Sequence, residues 1–99
     1  MIKHVESVKQ FKEETATGTV LVDFFATWCG PCQMLSPVIE EFDKKHNIKV
    51  LKVDVDELSD LAREFRVMSI PTLVVLKDGK IVKKELGYMP LERLESLIS

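Results

Sequence analysis

The chain has 99 residues, 45% hydrophobic and 30% charged, with 14 basic against 16 acidic side chains and a net charge of −2. One domain over residues 1–99 is the expectation at this length, and the composition excludes the disordered and fibrous classes. The charge balance argues against nucleic acid as a partner, because such binders rely on surplus Lys and Arg. No apolar stretch approaches the ~18–20 residues needed to span a bilayer, so no membrane partner is expected.

In chain order, Ile2 to Val5 reads as a short strand and Ser7 to Thr15 as a helix, with Ser7 and Gln10 at capping-box spacing. The first residues, Met1-Ile2-Lys3-His4-Val5-Glu6, lack the basic-then-apolar layout of a signal peptide, which makes the cytoplasm the expected location. Thr19 to Ala26 is a nearly continuous apolar run, β-branched and aromatic, and predicts a strand covered on both faces. Beyond the turn-like Thr27 to Cys32, residues Met34, Leu35, Val38, Ile39 and Phe42 recur at helical spacing. Pro31 suits the first turn of that helix, whereas Pro37 falls inside it and predicts a kink.

Lys49 to Val55 predicts a second buried strand, joined to the first by one helix as in a parallel βαβ unit. Asp56 or Ser59 is placed to cap a short helix carrying Leu58, Leu61, Ala62 and Phe65. Thr72 to Lys77 and Lys80 to Leu86 flank Asp78-Gly79 as a two-residue hairpin. Lys80, Lys83 and Lys84 mark the second of these as an exposed edge strand. Leu91, Leu94, Leu97 and Ile98 close the chain as an amphipathic helix. The sum is an α/β domain: a mixed five-stranded sheet flanked by about four helices.

Cys29 and Cys32, the only cysteines, are separated by Gly30-Pro31. As a structural staple so short a loop offers about 2 kcal/mol, and a domain with this many Val, Leu and Ile residues does not need it. Zinc would need histidines at finger spacing, and His4 and His46 lie far apart on opposite sides of the pair; no metal site is expected. Dithiol–disulfide chemistry is favoured, given a pair at a strand-to-helix junction. A thiolate at a helix N-terminus is stabilised by the dipole and by free backbone N–H groups. Cys29, expected to be the more exposed, would attack a substrate disulfide; Cys32 would resolve the mixed disulfide.

Asp23 stands in the most apolar strand, between Val22 and Phe24. Buried, its carboxyl would have a raised pKa and could take the proton from Cys32; an outward-facing aspartate on a half-covered strand is the alternative. Lys52, central in the next strand, is the candidate cation beside it, or else a solvated strand lysine. Asp54, Asp56, Glu57 and Asp60 lack the pattern of a calcium loop and read as a solvated acidic patch.

Val22-Asp23-Phe24-Phe25-Ala26-Thr27-Trp28-Cys29-Gly30-Pro31-Cys32 resembles the active-site signature of the thioredoxin family. Lys52-Val53-Asp54-Val55-Asp56, Ile70-Pro71-Thr72 and Asp78-Gly79 extend the resemblance, in order, over almost the whole chain. Phe25 stands where many relatives carry tryptophan. The resemblance implies a protein-disulfide reductase working through Cys29 and Cys32; the spacer Gly30-Pro31 limits chain freedom and is expected to favour a reducing poise over a strongly oxidising one. The resemblance implies a cis bond before Pro71, and a substrate extended along Ser69 and Ile70 in a groove of Trp28, Gly30, Pro31, Ile70, Gly87 and Tyr88. It also implies no bound cofactor beyond the redox-active pair. The implied partners are protein disulfides and thioredoxin reductase, an NADPH-linked flavoprotein; a monomer is expected. The reactive thiol near pKa 7 and the potential of about −270 mV known for thioredoxin itself are family values, not readings of this sequence. An oxidase or isomerase, and a binding module acting through the Trp28 face, are the alternatives. A double Cys29/Cys32 to Ser change would separate the last.

Overall fold

The computed structural model describes residues 1–99. Apolar runs become strands and the stretches of helical period become helices. Their order is β1 (Ile2–His4), α1 (Val8–Thr15), β2 (Thr19–Phe25), α2 (Gly30–Lys45), β3 (Lys49–Asp54), α3 (Ser59–Glu64), β4 (Thr72–Lys77), β5 (Lys80–Leu86) and α4 (Leu91–Ser96). The five strands form one sheet in the order β1-β3-β2-β4-β5. β3 runs parallel to both β1 and β2, while β4 is antiparallel to β2 and to β5. At the hairpin both Asp78 (φ 50°) and Gly79 (φ 82°) are left-handed, which matches the strand twist and suits Asp-Gly.

Successive strand residues point to opposite faces, and the core divides accordingly. Val20, Val22, Phe24, Leu51, Val53, Val74 and Leu76 pack with Phe11 of α1 and Leu61 of α3. Leu21, Val50, Leu73 and Val75 pack with Leu35, Ile39 and Phe42 of α2 and Leu94 of α4. β2 is buried along its centre because helices cover both faces, as its unbroken apolar run predicts. Asp23 shares the parity of Leu21 and therefore faces α2.

Helix ends show where local sequence rules hold. Ser7 caps α1, its hydroxyl accepting from the Gln10 N–H at 3.0 Å, while Gln10 Oε1 accepts from the Glu6 N–H at 2.7 Å. α2 continues through Pro37 to Lys45, one donor short at the proline. α3 departs from expectation: neither Asp56 nor Ser59 caps it, and its N-cap position, Leu58, has no side-chain bond. Asp54 instead turns the chain, its Oδ1 accepting from the Asp56 N–H at 2.8 Å and the Glu57 N–H at 3.4 Å. A carboxylate at the end of a strand reaches these amides before a residue inside the turn can.

Candidate active site

β2 delivers the chain to the end of the sheet, and α2 begins immediately beyond. Cys29 is the N-cap residue of α2, with extended backbone (φ −91°, ψ 114°), followed by Gly30, Pro31 and Cys32 in the first turn. An N-cap side chain points back at the free amides of its helix. Here the capping atom is sulfur: Cys29 Sγ accepts from the Cys32 N–H at 3.2 Å. The same turn sets the Cα atoms of the pair 5.2 Å apart, and the two sulfurs are joined as a disulfide. Proline costs nothing here, since the first-turn amides have no helical acceptor.

In this disulfide form the cysteines are equally covered, at 4% and 5% exposure. The expectation that Cys29 is the more exposed is thereby corrected. Ala26 forms one buried cluster with the two cysteines; Phe25, Val55 and Ile70 pack against that cluster, and the Ile70 carbonyl lies 3.8 Å from Cys29 Sγ. What separates the pair is hydrogen bonding: the helix amide is donated to Cys29.

Asp23 is buried, at 1% exposure, which removes the outward-facing alternative. Its register partner on β3 is Lys52, whose ammonium stands 3.9 Å from Asp23 Oδ2. Asp23 Oδ1 has no hydrogen-bond partner. Burial pushes this carboxyl up from 3.8 to about 6, against the opposing pull of Lys52. Lys52 is not a solvated strand lysine: its side chain is 13% exposed, donates to Ser36 Oγ at 3.2 Å and lies 4.8 Å from the Phe25 ring centroid.

Around the disulfide, Trp28 is 70% exposed, yet its indole N–H donates to Asp56 Oδ2 at 2.8 Å. Asp56 is thus a positioned acceptor and more than part of a solvated patch. The Ile70–Pro71 bond is cis. The Ser69 carbonyl accepts from Thr72 Oγ1 at 2.6 Å, and the Pro71 carbonyl from the Gly87 N–H at 2.8 Å. Ile70, between them, lends neither its N–H nor its C=O to the backbone hydrogen bonds of the chain. Gly87 has φ 88°, which favours glycine. Tyr88, half-exposed, follows it.

A sequence profile of the Thioredoxin family matches residues 2–99. The chain belongs to the thioredoxin family. It is 48% identical to thioredoxin of Bacillus subtilis over 93 residues, covering 92% of this chain and 89% of that protein. It is 46% identical to thioredoxin of Listeria monocytogenes over 101 residues, covering 100% and 97%. Among solved structures, a mutant thioredoxin from Halobacterium salinarum superposes with a TM-score of 0.92 at 38% identity, covering 98% of this chain and 87% of that one. Oxidized mitochondrial thioredoxin 3 of Saccharomyces cerevisiae gives 0.90 at 34%, covering 98% and 92%. As a thioredoxin-family chain with the Cys29–Cys32 disulfide in place, this protein is a protein-disulfide oxidoreductase. The family works without a bound cofactor because the sulfurs carry the two electrons.

Two features near the disulfide escape the sequence reading. Ser36 gives no signal at all, since a polar residue on a helix is ordinary. A groove of about 600 Å³ runs beside α3, walled by Val55, Ala62, Val67, Met68, Arg63 and Arg66. One of its walls, Val55, also packs against the cluster formed by Ala26 and the two cysteines. Helical spacing marks Ala62 as core, but nothing local marks Met68, 91% exposed, as a groove residue.

Proposed function

We propose that this chain acts in the reducing direction, as a single domain and a monomer in the cytoplasm, passing electrons to protein disulfides. The observation that makes Cys29 the attacking sulfur is the Cys32 amide directed at Cys29 Sγ; membership in the thioredoxin family supports the reducing direction. That amide and the dipole of α2 favour a thiolate on Cys29. The Cys29 thiolate attacks one sulfur of the substrate disulfide; a new S–S bond forms and the other substrate sulfur leaves as a thiolate. Cys32 then gives its proton to Asp23 and attacks Cys29 Sγ. The Cys29–Cys32 disulfide closes, the second substrate sulfur departs, and the substrate has gained the two electrons lost by the pair.

Asp23 suits the proton-acceptor role because a carboxyl near 6 is mostly ionised at neutral pH yet basic enough to accept a proton. Lys52 tunes it by charge. Gly30 and Pro31 hold the turn that brings the sulfurs together. The substrate-binding surface is Trp28, Ser69, Ile70, Pro71, Gly87 and Tyr88. Neither the N–H nor the C=O of Ile70 is paired with another backbone group, which supports docking of an extended segment, whose backbone pairing tolerates many sequences. The groove along α3 lengthens this surface. Regeneration of the dithiol falls to an NADPH-dependent flavoprotein, thioredoxin reductase, as the family membership suggests.

Insulin-disulfide reduction tests the assignment. Cys29→Ser is expected to abolish turnover, and Cys32→Ser to accumulate a mixed disulfide on Cys29, visible by mass spectrometry. An adduct found on Cys32 in the native chain would reverse the two roles.

A further inference from the structure

Lysine carries three donors on a flexible stem, and a charge-assisted bond to a carboxylate closes to about 2.7–2.9 Å. Lys52 stops short of that. Its ammonium lies 3.9 Å from Asp23 Oδ2, too far for a hydrogen bond, although Asp23 Oδ1 has no partner of its own. Two other groups claim the ammonium. Ser36, on the face of α2 that covers β3, accepts from it at 3.2 Å, and the Phe25 ring lies 4.8 Å away. A cation over an aromatic face is held by the ring quadrupole, more strongly when desolvated, with a worth comparable to the net worth of a hydrogen bond.

We propose that Ser36 is a positioning residue: its hydroxyl, with the Phe25 ring, tethers the Lys52 ammonium short of a hydrogen bond to Asp23. The tether leaves Asp23 under the charge of Lys52 without a direct bond, so burial retains the upper hand over its carboxyl. Of the other charged groups near Lys52, Glu6, Glu40 and Glu57 are exposed, and Asp54 is half-buried with its Oδ1 already accepting from the Asp56 and Glu57 N–H groups. His4 of β1 and Glu40 of α2 line one cleft beside Lys52; His4, Glu6, Asp54 and Glu57 line the other. On the opposite side Asp23 meets apolar Leu73 of β4. Releasing the ammonium therefore gives it one desolvated carboxylate to move to, and a bond there favours the charged form. The functional consequence rests on the proton-acceptor reading of Asp23: a direct Lys52 bond would make Asp23 a weaker base.

The test is a carbon-13 NMR titration of the Asp23 carboxyl in the disulfide form. Ser36→Ala is expected to move the midpoint down by about one pH unit, the low end for an opposite charge brought into contact. Ser36→Thr keeps the hydroxyl and is expected to stay near the native midpoint. Adding Lys52→Met to Ser36→Ala is expected to remove the downward move. Phe25→Leu, which loosens the other half of the tether, is expected to move the midpoint in the same direction as Ser36→Ala. A midpoint unmoved or raised in Ser36→Ala overturns the positioning role, and so does one unmoved or raised in Phe25→Leu should Ser36→Ala fail to fold. The rate of mixed-disulfide resolution against pH separates the two ideas: a rate that ignores the Asp23 midpoint overturns the proton-acceptor reading alone.

Discussion

Asp23 illustrates how a single carboxyl couples chemistry to stability. Its value of about 6 in the folded chain stands above the ordinary 3.8 because burial opposes the charge and Lys52 only partly offsets it. The unfolded chain ionises Asp23 more readily, so folding binds a proton between the two values. Below pH 3.8 both states are protonated and the carboxyl exacts no penalty; stability falls as pH rises through about 6 and levels off above. The gap corresponds to roughly 3 kcal/mol. Asp23→Asn is therefore expected to gain stability relative to the native chain, by most of that amount, between pH 4 and pH 8 in urea denaturation. A constant difference across the range would contradict the burial account. At this scale the sequence is half legible. A charge inside an apolar run announces Asp23, but Ser36 and Asp56 act through side chains that only tertiary packing brings within reach. No spacing rule links Trp28 to Asp56 or Ser36 to Lys52.

Elements are legible where their determinants are local. β4 and β5 keep the bounds predicted from their apolar runs and the Asp78-Gly79 turn, since both turn residues need the left-handed conformation that Asp and Gly tolerate. α1 starts where Ser7 says it should. Ser7→Ala is expected to cost about 1 kcal/mol, the usual worth of an N-cap, measurable as a lower midpoint in thermal or urea unfolding with little change in disulfide reduction. α3 was legible in place but not in its cap. Asp56 and Ser59 fit the local rule, yet Asp54, held at the end of β3 by pairing with β2, takes the turn amides first. Pro37 likewise obeys its own chemistry without ending α2, because Ile39 and Phe42 beyond it are anchored in the core under the sheet.

At the scale of the molecule, the two-sided sheet has one functional result. β2, with core packing on both faces, places the sulfur turn on a rigid support, and β3 and β4 bring Lys52 and the Ile70 segment to its two sides. Fold and signature were legible together because the family motif spans most of the chain. The equal burial of the two cysteines was not, since coverage of Cys29 comes from Ile70, far along the sequence. The central claim is a thiolate on Cys29 favoured by the N-terminus of α2. The most direct measurement is the rate of iodoacetamide alkylation of Cys29 against pH, in reduced protein carrying Cys32→Ser. A midpoint well below the ~8.5 of free cysteine is the expected result; a midpoint at 8.5 or above would contradict the account.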